Sequence, residues 1–469
     1  MKNNIDIDIS KYIGISTDSR DIKEGYIYAA IKGSHFNGED FIEESVSQGA
    51  NLVLINHDST YDKPCPTPIL KVENIRLAVS YLASLLYPKQ PSNIVAITGT
   101  NGKTSNAYFY NQFAELLGYK SACIGTLGLI SSHKTFHQSK DILTSPASIT
   151  MHKMLDSLAS DNINHVAIEA SSHGLDQHRI DCVRIKAAAF TNFTQDHLDY
   201  HHDMDSYFKA KMRLFTEVMI NGAAVINADM PEFDNIVKLI GSRNKIVSYG
   251  QNGAEYKLIA FGDQHIEFEA YGKRFKSKIG LNGYFQAQNL LSSIALCVAT
   301  GLKIEDLVSV IPQIQAAPGR LEQVAETRGA KIFIDYAHTP DALEKALSNL
   351  RAECKGKLFV VFGCGGDRDK AKRPIMGRIA SDLADVVIIS DDNPRFEDPA
   401  QIRREVVEGA KGAYELDNRK HAISYAIGLL QENDILLVAG KGHETYQIIG
   451  DIKVYFSDHE EIMSCIFPS

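Results

Sequence analysis

The stretch Ile94-Val-Ala-Ile-Thr-Gly-Thr-Asn-Gly-Lys-Thr104 decides how the rest of the chain is read. Its four leading apolar or β-branched residues make a buried strand. Gly99 and Gly102 then bracket a tight loop, and Lys103-Thr104 open a helix. That is the layout of a phosphate-binding loop, in which backbone N–H groups wrap phosphate oxygens and the helix N-terminus adds positive potential. Lys103 is expected on the β- and γ-phosphates of a nucleotide, with Thr104 on Mg²⁺. The loop is a shorter variant of the strict G-x-x-x-x-G-K-[ST] pattern, because position 97 is Ile. An ordinary glycine-rich turn with a solvated Lys103 is the weaker alternative, given a second Gly three residues ahead of Gly-Lys-Thr.

With 469 residues the chain exceeds a single core, so roughly two to four domains are expected. A hydrophobic content of 44% and a charged content of 23% are those of a soluble globular protein. The net charge of −9, from 49 basic and 58 acidic residues, gives no overall basic field to draw in nucleic acid. A local basic pocket for a small anion remains compatible with it. The 7 cysteines are scattered, odd in number and without a C-x-x-C, which predicts reduced thiols in a cytoplasmic protein. The N-terminus lacks the apolar core of a signal peptide, and no apolar run approaches the roughly 20 residues of a membrane helix.

Three blocks follow from the pattern. The first runs to about Gln90, with strands in Tyr26–Ile31, Leu52–Ile55 and Ile69–Val72, a helix near Leu77–Leu86, and a Pro88-Lys-Gln-Pro91 linker. The second opens with the phosphate loop. Its strands at His165–Glu169, Ala187–Thr191 and Ala223–Asn227 alternate with helices, which predicts a parallel sheet. Residues Tyr256–Ile279 read as antiparallel hairpins, and Asn282–Ala299 as a long helix stopped by Gly301. The third starts near Pro318-Gly319, with fully apolar strands at Ile332–Ile334, Leu358–Phe362, Val386–Ile389 and Ile435–Val438. The expected fold is α/β in three domains, 1–90, 91–314 and 315–469. The central domain carries a P-loop ATPase-like parallel sheet, and the C-terminal one is Rossmann-like. Ligands of such sheets bind at the carboxyl ends of the strands, so the loops there are the places to search.

Glu169 ends one strand, in the same sheet as the phosphate loop, where a carboxylate can hold Mg²⁺ or brace a loop. Thr191–Asp203 packs three His and three Asp behind another strand, suited to metal binding, base catalysis or plain surface polarity. Lys209 and Lys211 follow on a helix, where paired lysines are ordinarily solvated. In the third block, Gly363–Arg373, Ser390–Arg395 and Ala439–Glu444 each follow a buried strand. Arg368 and Arg395 can clamp carboxylates and Glu444 can hold an amine, a combination suited to an amino acid; loop salt bridges are the plainer reading.

Taken together, Gly-Thr-Asn-Gly-Lys-Thr104, Glu169, Asp196-His-Leu-Asp199, Asn289, Asp335-Tyr-Ala-His338 and Gly-Lys-Gly-His-Glu444 resemble the Mur ligases of peptidoglycan synthesis, in the family's order and across all three blocks. Asp392-Asn-Pro-Arg395 looks like the selectivity motif of members that add meso-2,6-diaminopimelate. The resemblance implies domains for a UDP-sugar, for ATP and for the incoming amino acid. It implies that Ser19 and His35 belong to uridine-side loops, and that Thr144, Ser145, Ser171, Gln177 and Arg179 hold the muramoyl dipeptide and its diphosphate. Gly99, Thr100, Asn101, Gly102, Lys103, Thr104, Asn289, Arg320, Asp335 and His338 would bind ATP. Thr104, Glu169, His197 and Lys211 would hold Mg²⁺, with Lys211 carbamylated by CO₂ to N6-carboxylysine. Lys103, Glu169, His197 and Lys211 would be the catalytic set. Arg368, Asp392, Asn393, Arg395, Gly440 and Glu444 would form the diaminopimelate pocket. Gln286 stands where many relatives have Asn, Leu143 replaces a frequent polar residue, and Ser145 replaces the second of a Thr pair.

The activity so implied is an ATP-dependent, ADP-forming acid–amino-acid ligase acting on UDP-N-acetylmuramoyl-L-alanyl-D-glutamate through an acyl phosphate. It is expected as a cytoplasmic monomer with small-molecule substrates and no nucleic-acid or membrane partner. The alternatives are an L-lysine-adding Mur ligase, a folylpolyglutamate-type ligase, a nucleotide-switch ATPase and a decayed, non-catalytic UDP-sugar-peptide binding protein.

Overall fold

The computed structural model describes residues 5, 7–33, 36–133, 143–252 and 254–467. Three sheets organise these residues into three α/β domains. The first sheet is four parallel strands in chain order: β1 Gly14–Ser16, β2 Tyr26–Ala29, β3 Ala50–Asn56 and β4 Ile69–Val72. The helix Ile75–Leu86 covers one face, capped by the Asn74 side chain accepting from Leu77 N at 3.1 Å.

The second sheet holds β5 Asn93–Thr98, β6 Ser121–Gly125, β7 Gly128–Ile130, β8 His165–Glu169, β9 Ile185–Phe190, β10 Ala223–Asn227, β11 Lys245–Gly250, β12 Tyr256–Gly262, β13 His265–Ala270 and β14 Lys273–Lys278. Their order is β14-β13-β12-β11-β10-β9-β5-β8-β6-β7. Strand β5 lies between β8 and β9, parallel to both, so its loop emerges at the middle of the sheet. Both faces are buried: Val95 and Ile97 pack into one core, Ile94 and Ala96 into the other. That explains the unbroken apolar run in the sequence, since a strand covered twice shows no alternation. The expected hairpins of Tyr256–Ile279 form, but as an extension of this sheet. Tyr249 and Gly250 pair in parallel with Tyr256 and Lys257, and antiparallel β13 and β14 follow. Alternation there reflects one-sided burial: Tyr256, Leu258, Ile266 and Phe268 face the core.

The third sheet holds β15 Glu322–Thr327, β16 Ala330–Asp335, β17 Leu358–Phe362, β18 Val386–Ile389, β19 Tyr414–Glu415 and β20 Ile435–Ala439, in the order β15-β16-β20-β17-β18-β19. All neighbours are parallel except β15 and β16. A hairpin, β21 Tyr446–Ile449 and β22 Ile452–Tyr455, stands apart from it. Under this sheet Arg419 Nε and Nη2 grip Asp458 at 2.7 and 2.8 Å, with both side chains 0% exposed. The pair joins the helices Arg419–Leu429 and Asp458–Ile466. Asp458→Ala would strand a buried guanidinium, so the third domain should lose about 3–5 kcal/mol, read as an earlier midpoint in urea unfolding. Among the described residues no helix is long and apolar enough to cross a membrane, and none of the cysteines is paired.

Candidate active site

The phosphate loop follows β5, and glycine is required at both ends of its turn. Gly99 has φ +142° and Gly102 φ +85°, and a Cβ on them would sit 1.9 Å from Thr191 Oγ1 and 2.5 Å from Asn289 Oδ1. The loop is braced by the segment after β9. Thr100 N donates to Asn192 O at 2.9 Å, Asn101 N to Asn192 Oδ1 at 2.8 Å, and Thr191 Oγ1 to Asn101 O at 2.6 Å. Lys103 Nζ donates to the carbonyls of Gly99 and Thr100 at 2.9 and 2.7 Å. Desolvation lowers its ammonium below the usual lysine range, while the Glu169 and Asp196 carboxylates hold it up.

Glu169, at the end of β8, is 2% exposed. Its carboxylate accepts from Thr104 Oγ1 at 3.0 Å, Thr126 N at 2.9 Å and Thr126 Oγ1 at 3.1 Å. It has room only because Gly125 lies beneath it, where a Cβ would meet Glu169 Oε1 at 2.0 Å. Lys211 does not behave as a solvated helix lysine, although Lys209 is exposed. On the helix Met204–Arg213, Lys211 sits one turn beyond Tyr207 and both face inward. Lys211 is 1% exposed, donates to Gly99 O at 2.8 Å and lies 4.3 Å from the Tyr207 ring centroid. Burial drives its ammonium well below the usual range, and nearby Lys103 lowers it further. Lys103 and Lys211 thus share one carbonyl oxygen.

His197 is placed close by but not on Glu169: it hydrogen-bonds neither Glu169 nor Thr104 among the described residues. Its Nε2 is 3.5 Å from Asp196 Oδ2, and its ring meets His173 edge-on at 4.9 Å. His201 completes a packed imidazole cluster, 5.5 Å from His173. Burial, then the neighbouring His197 and His201, push His173 down to about 4. The dense His/Asp motif is therefore largely an aromatic-packed wall. Among the described residues no three His, Cys, Asp or Glu side chains gather as a ready metal cage.

A cleft opens beside the loop, lined among others by Asn101, Gly102, Asn289, Arg320, Asp335 and His338. It lies between the second and third sheets, and Asn101 Nδ2 spans it by donating to Asp341 Oδ2 at 3.0 Å. Arg320 stacks 4.6 Å from the Tyr336 ring and donates to Thr104 Oγ1 at 3.1 Å. Burial raises Asp335 to about 6 despite Arg320, and its Oδ2 accepts from Leu321 N at 2.6 Å. Gln286 does not line the cleft. It donates to Arg320 O at 2.9 Å and accepts from Asn289 Nδ2 at 3.2 Å, so it braces two lining residues.

On the other side of Glu169 a second network gathers. Ser145 Oγ donates to Glu169 O at 2.7 Å and accepts from Ser171 N at 2.9 Å. Arg179 donates to Ser145 O at 2.9 Å and to Gln177 Oε1 at 2.7 Å. Thr144 Oγ1 is 3.2 Å from Thr126 Oγ1. Leu143 is 45% exposed beside them. Ser19 is buried in the first domain and makes no hydrogen bond to this network; His35 lies outside the described residues. The first domain does reach the network's edge, where Asn74 Nδ2 meets His178 Nε2 at 3.0 Å.

In the third domain the loops after β17, β18 and β20 converge. Arg395, in the left-handed region at φ +52°, donates to Gly366 O at 2.8 Å and Asn393 O at 3.4 Å. Arg368 donates to Asp367 O at 3.0 Å. Neither has a carboxylate partner among the described residues. Burial lowers Arg395 below the usual range, and the charge on Arg368 lowers it further. Asn393 Nδ2 donates to Glu444 Oε2 at 3.0 Å, and Gly440 leaves room for Asp392 Oδ2, 2.7 Å from where a Cβ would lie.

Sequence reasoning missed Thr126, Asn192, Tyr336 and Lys441. Lys441 stood in a motif already singled out. Asn192 and Tyr336 also stood in stretches already quoted, Thr191–Asp203 and Asp335–His338, whereas Thr126 carries no pattern of its own and becomes visible only through the partner it holds.

Residues 11–87 match the Mur ligase family catalytic domain, 97–297 the Mur ligase middle domain, and 319–442 the Mur ligase glutamate ligase domain. Over 463 residues the chain is 44% identical to UDP-N-acetylmuramoyl-L-alanyl-D-glutamate–2,6-diaminopimelate ligase of Bradyrhizobium diazoefficiens, covering 97% of this chain and 94% of that protein. The ligase of the same name from Agrobacterium fabrum is 43% identical, covering 97% and 93%. A solved structure of UDP-N-acetylmuramoyl-L-alanyl-D-glutamate–2,6-diaminopimelate ligase superposes with a TM-score of 0.70 at 30% identity, covering 97% of this chain and 94% of that one. A phosphate loop at the centre of one sheet, a cleft beside it and this similarity over nearly the whole chain lead to one conclusion: the chain belongs to the Mur ligase family.

Proposed function

We propose that this chain joins meso-2,6-diaminopimelate to UDP-N-acetylmuramoyl-L-alanyl-D-glutamate with hydrolysis of ATP to ADP and phosphate, a step of peptidoglycan precursor synthesis. It is an ATP-dependent amide ligase. The observation that carries the choice of amino acid is the pair Arg368 and Arg395, two guanidiniums without a carboxylate partner among the described residues. They stand at the loops that also carry Glu444. Diaminopimelate differs from lysine by a carboxylate at its far end, and Arg395 offers that group a planar fork. With lysine bound, the fork would face no anion. A folylpolyglutamate-type ligase is disfavoured by the first domain's match to the family and by this pocket. A decayed binding protein is disfavoured by intact Lys103, Thr104, Glu169 and Lys211.

Residues 1–90 are assigned to the UDP-sugar, 91–314 to ATP and 315–469 to the amino acid. Ser19, His35, Thr144, Ser145, Ser171, Gln177 and Arg179 are assigned to the UDP-muramoyl dipeptide, and the cleft residues Asn289, Arg320, Asp335 and His338 to ATP. The D-glutamate γ-carboxylate attacks the γ-phosphorus, leaving ADP and an acyl phosphate. Lys103 places its charge on the transferred phosphoryl, while the loop amides hold it in line. Glu444 and Arg395 then hold one end of diaminopimelate so that the amine at its other end, uncharged, attacks the acyl carbon and expels phosphate. Binding both reactants together supplies proximity.

Among the described residues the buried Glu169 carboxylate accepts hydrogen bonds from hydroxyl and amide donors and from no Lys or Arg, which suits a hard divalent cation. Thr104, Glu169, His197 and a carbamylated Lys211 would hold Mg²⁺, which neutralises phosphate charge when bound. We place the enzyme in the cytoplasm as a monomer acting on small molecules alone.

Phosphate release should require both the UDP-muramoyl dipeptide and the amino acid. The kcat/KM for meso-diaminopimelate should exceed that for L-lysine by about 100-fold. Equal values for the two amino acids would reject the selectivity, and release without either acceptor would reject the ligase.

A further inference from the structure

We propose that Lys441 is a positioning residue for capture of the amino acid, fixing the Glu444 carboxylate that receives the substrate's amine. This rests on the reading of that pocket given above. Lys441 is 0% exposed, although it lies on a loop. Its Nζ donates to Glu444 Oε2 at 3.1 Å and to Tyr446 O at 2.5 Å, and lies 5.7 Å from the Tyr446 ring centroid. Asn393 Nδ2 donates to the same Oε2 at 3.0 Å. Two donors from two loops therefore converge on one oxygen of the carboxylate. Oε1 has no partner among the described residues and is the atom left for a ligand's ammonium.

A methionine would fill the same space without the cost of burying an ammonium. The charge is thus best explained by what it does to Glu444. A carboxylate without those two donors would be free to rotate. Pinned by Lys441 and Asn393, it presents one anionic oxygen in a fixed direction before the amino acid arrives. Anchoring of the loop itself falls to a different cation: Arg419 Nη2 donates to Ala439 O at 2.9 Å, at the strand end just before Gly440. The same Asn393 also accepts from Ile448 N through Oδ1 at 2.9 Å. The selectivity loop, the Gly440–Glu444 loop and the start of β21 are in this way stitched around one carboxylate.

The test is a double-mutant cycle in the full chain with Lys441→Met, Glu444→Gln and both together, measuring the KM of each of the three substrates. Lys441→Met should raise the KM for diaminopimelate about 10- to 100-fold, the size of a lost charge-assisted hydrogen bond. The KM for ATP and for the UDP-muramoyl dipeptide should stay within about twofold, because neither substrate contacts this carboxylate. If Lys441 acts through Glu444, the double variant should be no worse than Glu444→Gln alone. An unchanged KM for diaminopimelate, a parallel rise in all three, or additive effects would overturn the inference. Should Lys441→Met fail to fold, Lys441→Arg and Lys441→Gln give the same readout: Arg should restore the low KM and Gln should not, and equal behaviour of the two overturns it. A wild-type chain that ignores diaminopimelate overturns the pocket reading together with this inference. An active wild type with an indifferent Lys441→Met variant overturns this inference alone.

Discussion

Lys103→Ala should lose amide formation by about three orders of magnitude or more while still folding and still binding the UDP-muramoyl dipeptide. Lys103 Nζ rests on the carbonyls of Gly99 and Thr100, so its removal deletes two hydrogen bonds to a loop that many others hold. Thr100, Asn101 and Thr191 keep the turn in place through Asn192 and the segment after β9. Stability should therefore change little, and the loss should fall on chemistry. Phosphoryl transfer gathers charge on the γ-phosphate oxygens, and a preorganised cation there acts in a site with little competing solvent. The carbonyls of Gly99 and Thr100 orient the ammonium beside the proposed phosphate site, and Glu169 and Asp196 oppose the lowering of its pKa by burial. The check is kcat and each KM from a phosphate-release assay, with calorimetric binding of the UDP-muramoyl dipeptide as the control. Ligation within about tenfold of wild type would remove Lys103 from the reaction.

The parts of this protein that were readable from sequence are those written in local pattern. The apolar run Ile94–Ile97, the glycines at 99 and 102 and the Gly-Lys-Thr that follows specify strand, turn and helix without help from elsewhere. The same holds for β17, β18 and β20, whose unbroken apolar runs announce burial on both faces. Non-local pairing was not written there. Nothing in Tyr256–Lys278 says that the hairpin extends the central sheet, because two backbone pairings with Tyr249 and Gly250 decide it. Gln286 is a similar case: its chemistry suits a base contact, yet the helix Tyr284–Ala299 turns it onto Arg320 O. Thr126 is invisible as a motif because its role exists only once β6 and β8 lie side by side. The exposed-or-buried question for Lys209 and Lys211 was settled by helix phase and the inward-facing Tyr207, which sequence spacing alone left open.

Burial of Lys211 leads to the second large expected effect. Lys211→Ala should lower ligation on the order of 10³-fold. Activity of the wild type should also fall in buffer stripped of CO₂ and return when bicarbonate is added. Lys103 and Lys211 both donate to Gly99 O, at 2.9 and 2.8 Å. Two ammonium ions at one carbonyl oxygen in a desolvated site repel each other strongly, and burial first, then Lys103, lowers Lys211 well below the usual lysine range and so favours its neutral form. A neutral buried amine is a nucleophile. Its attack on CO₂ would form an N–C bond and release one proton, leaving a carbamate anion where a cation would have stood. The like-charge clash with Lys103 would become an attraction, and the loop would gain an anionic oxygen ligand beside the proposed phosphate site. The Tyr207 ring packs against this side chain, its centroid 4.3 Å from Nζ. The decisive measurement is a ¹³C NMR spectrum of the chain in ¹³C-bicarbonate, where a carbamate signal present in wild type should vanish in Lys211→Ala. A spectrum without that signal, together with full activity in CO₂-free buffer, would leave Lys211 as an ordinary buried amine. Lys211→Glu adds an independent reading, since it supplies a carboxylate from a shorter stem with no need of CO₂. Whatever activity that variant keeps should be indifferent to bicarbonate, which separates the need for an anion from the need for a lysine.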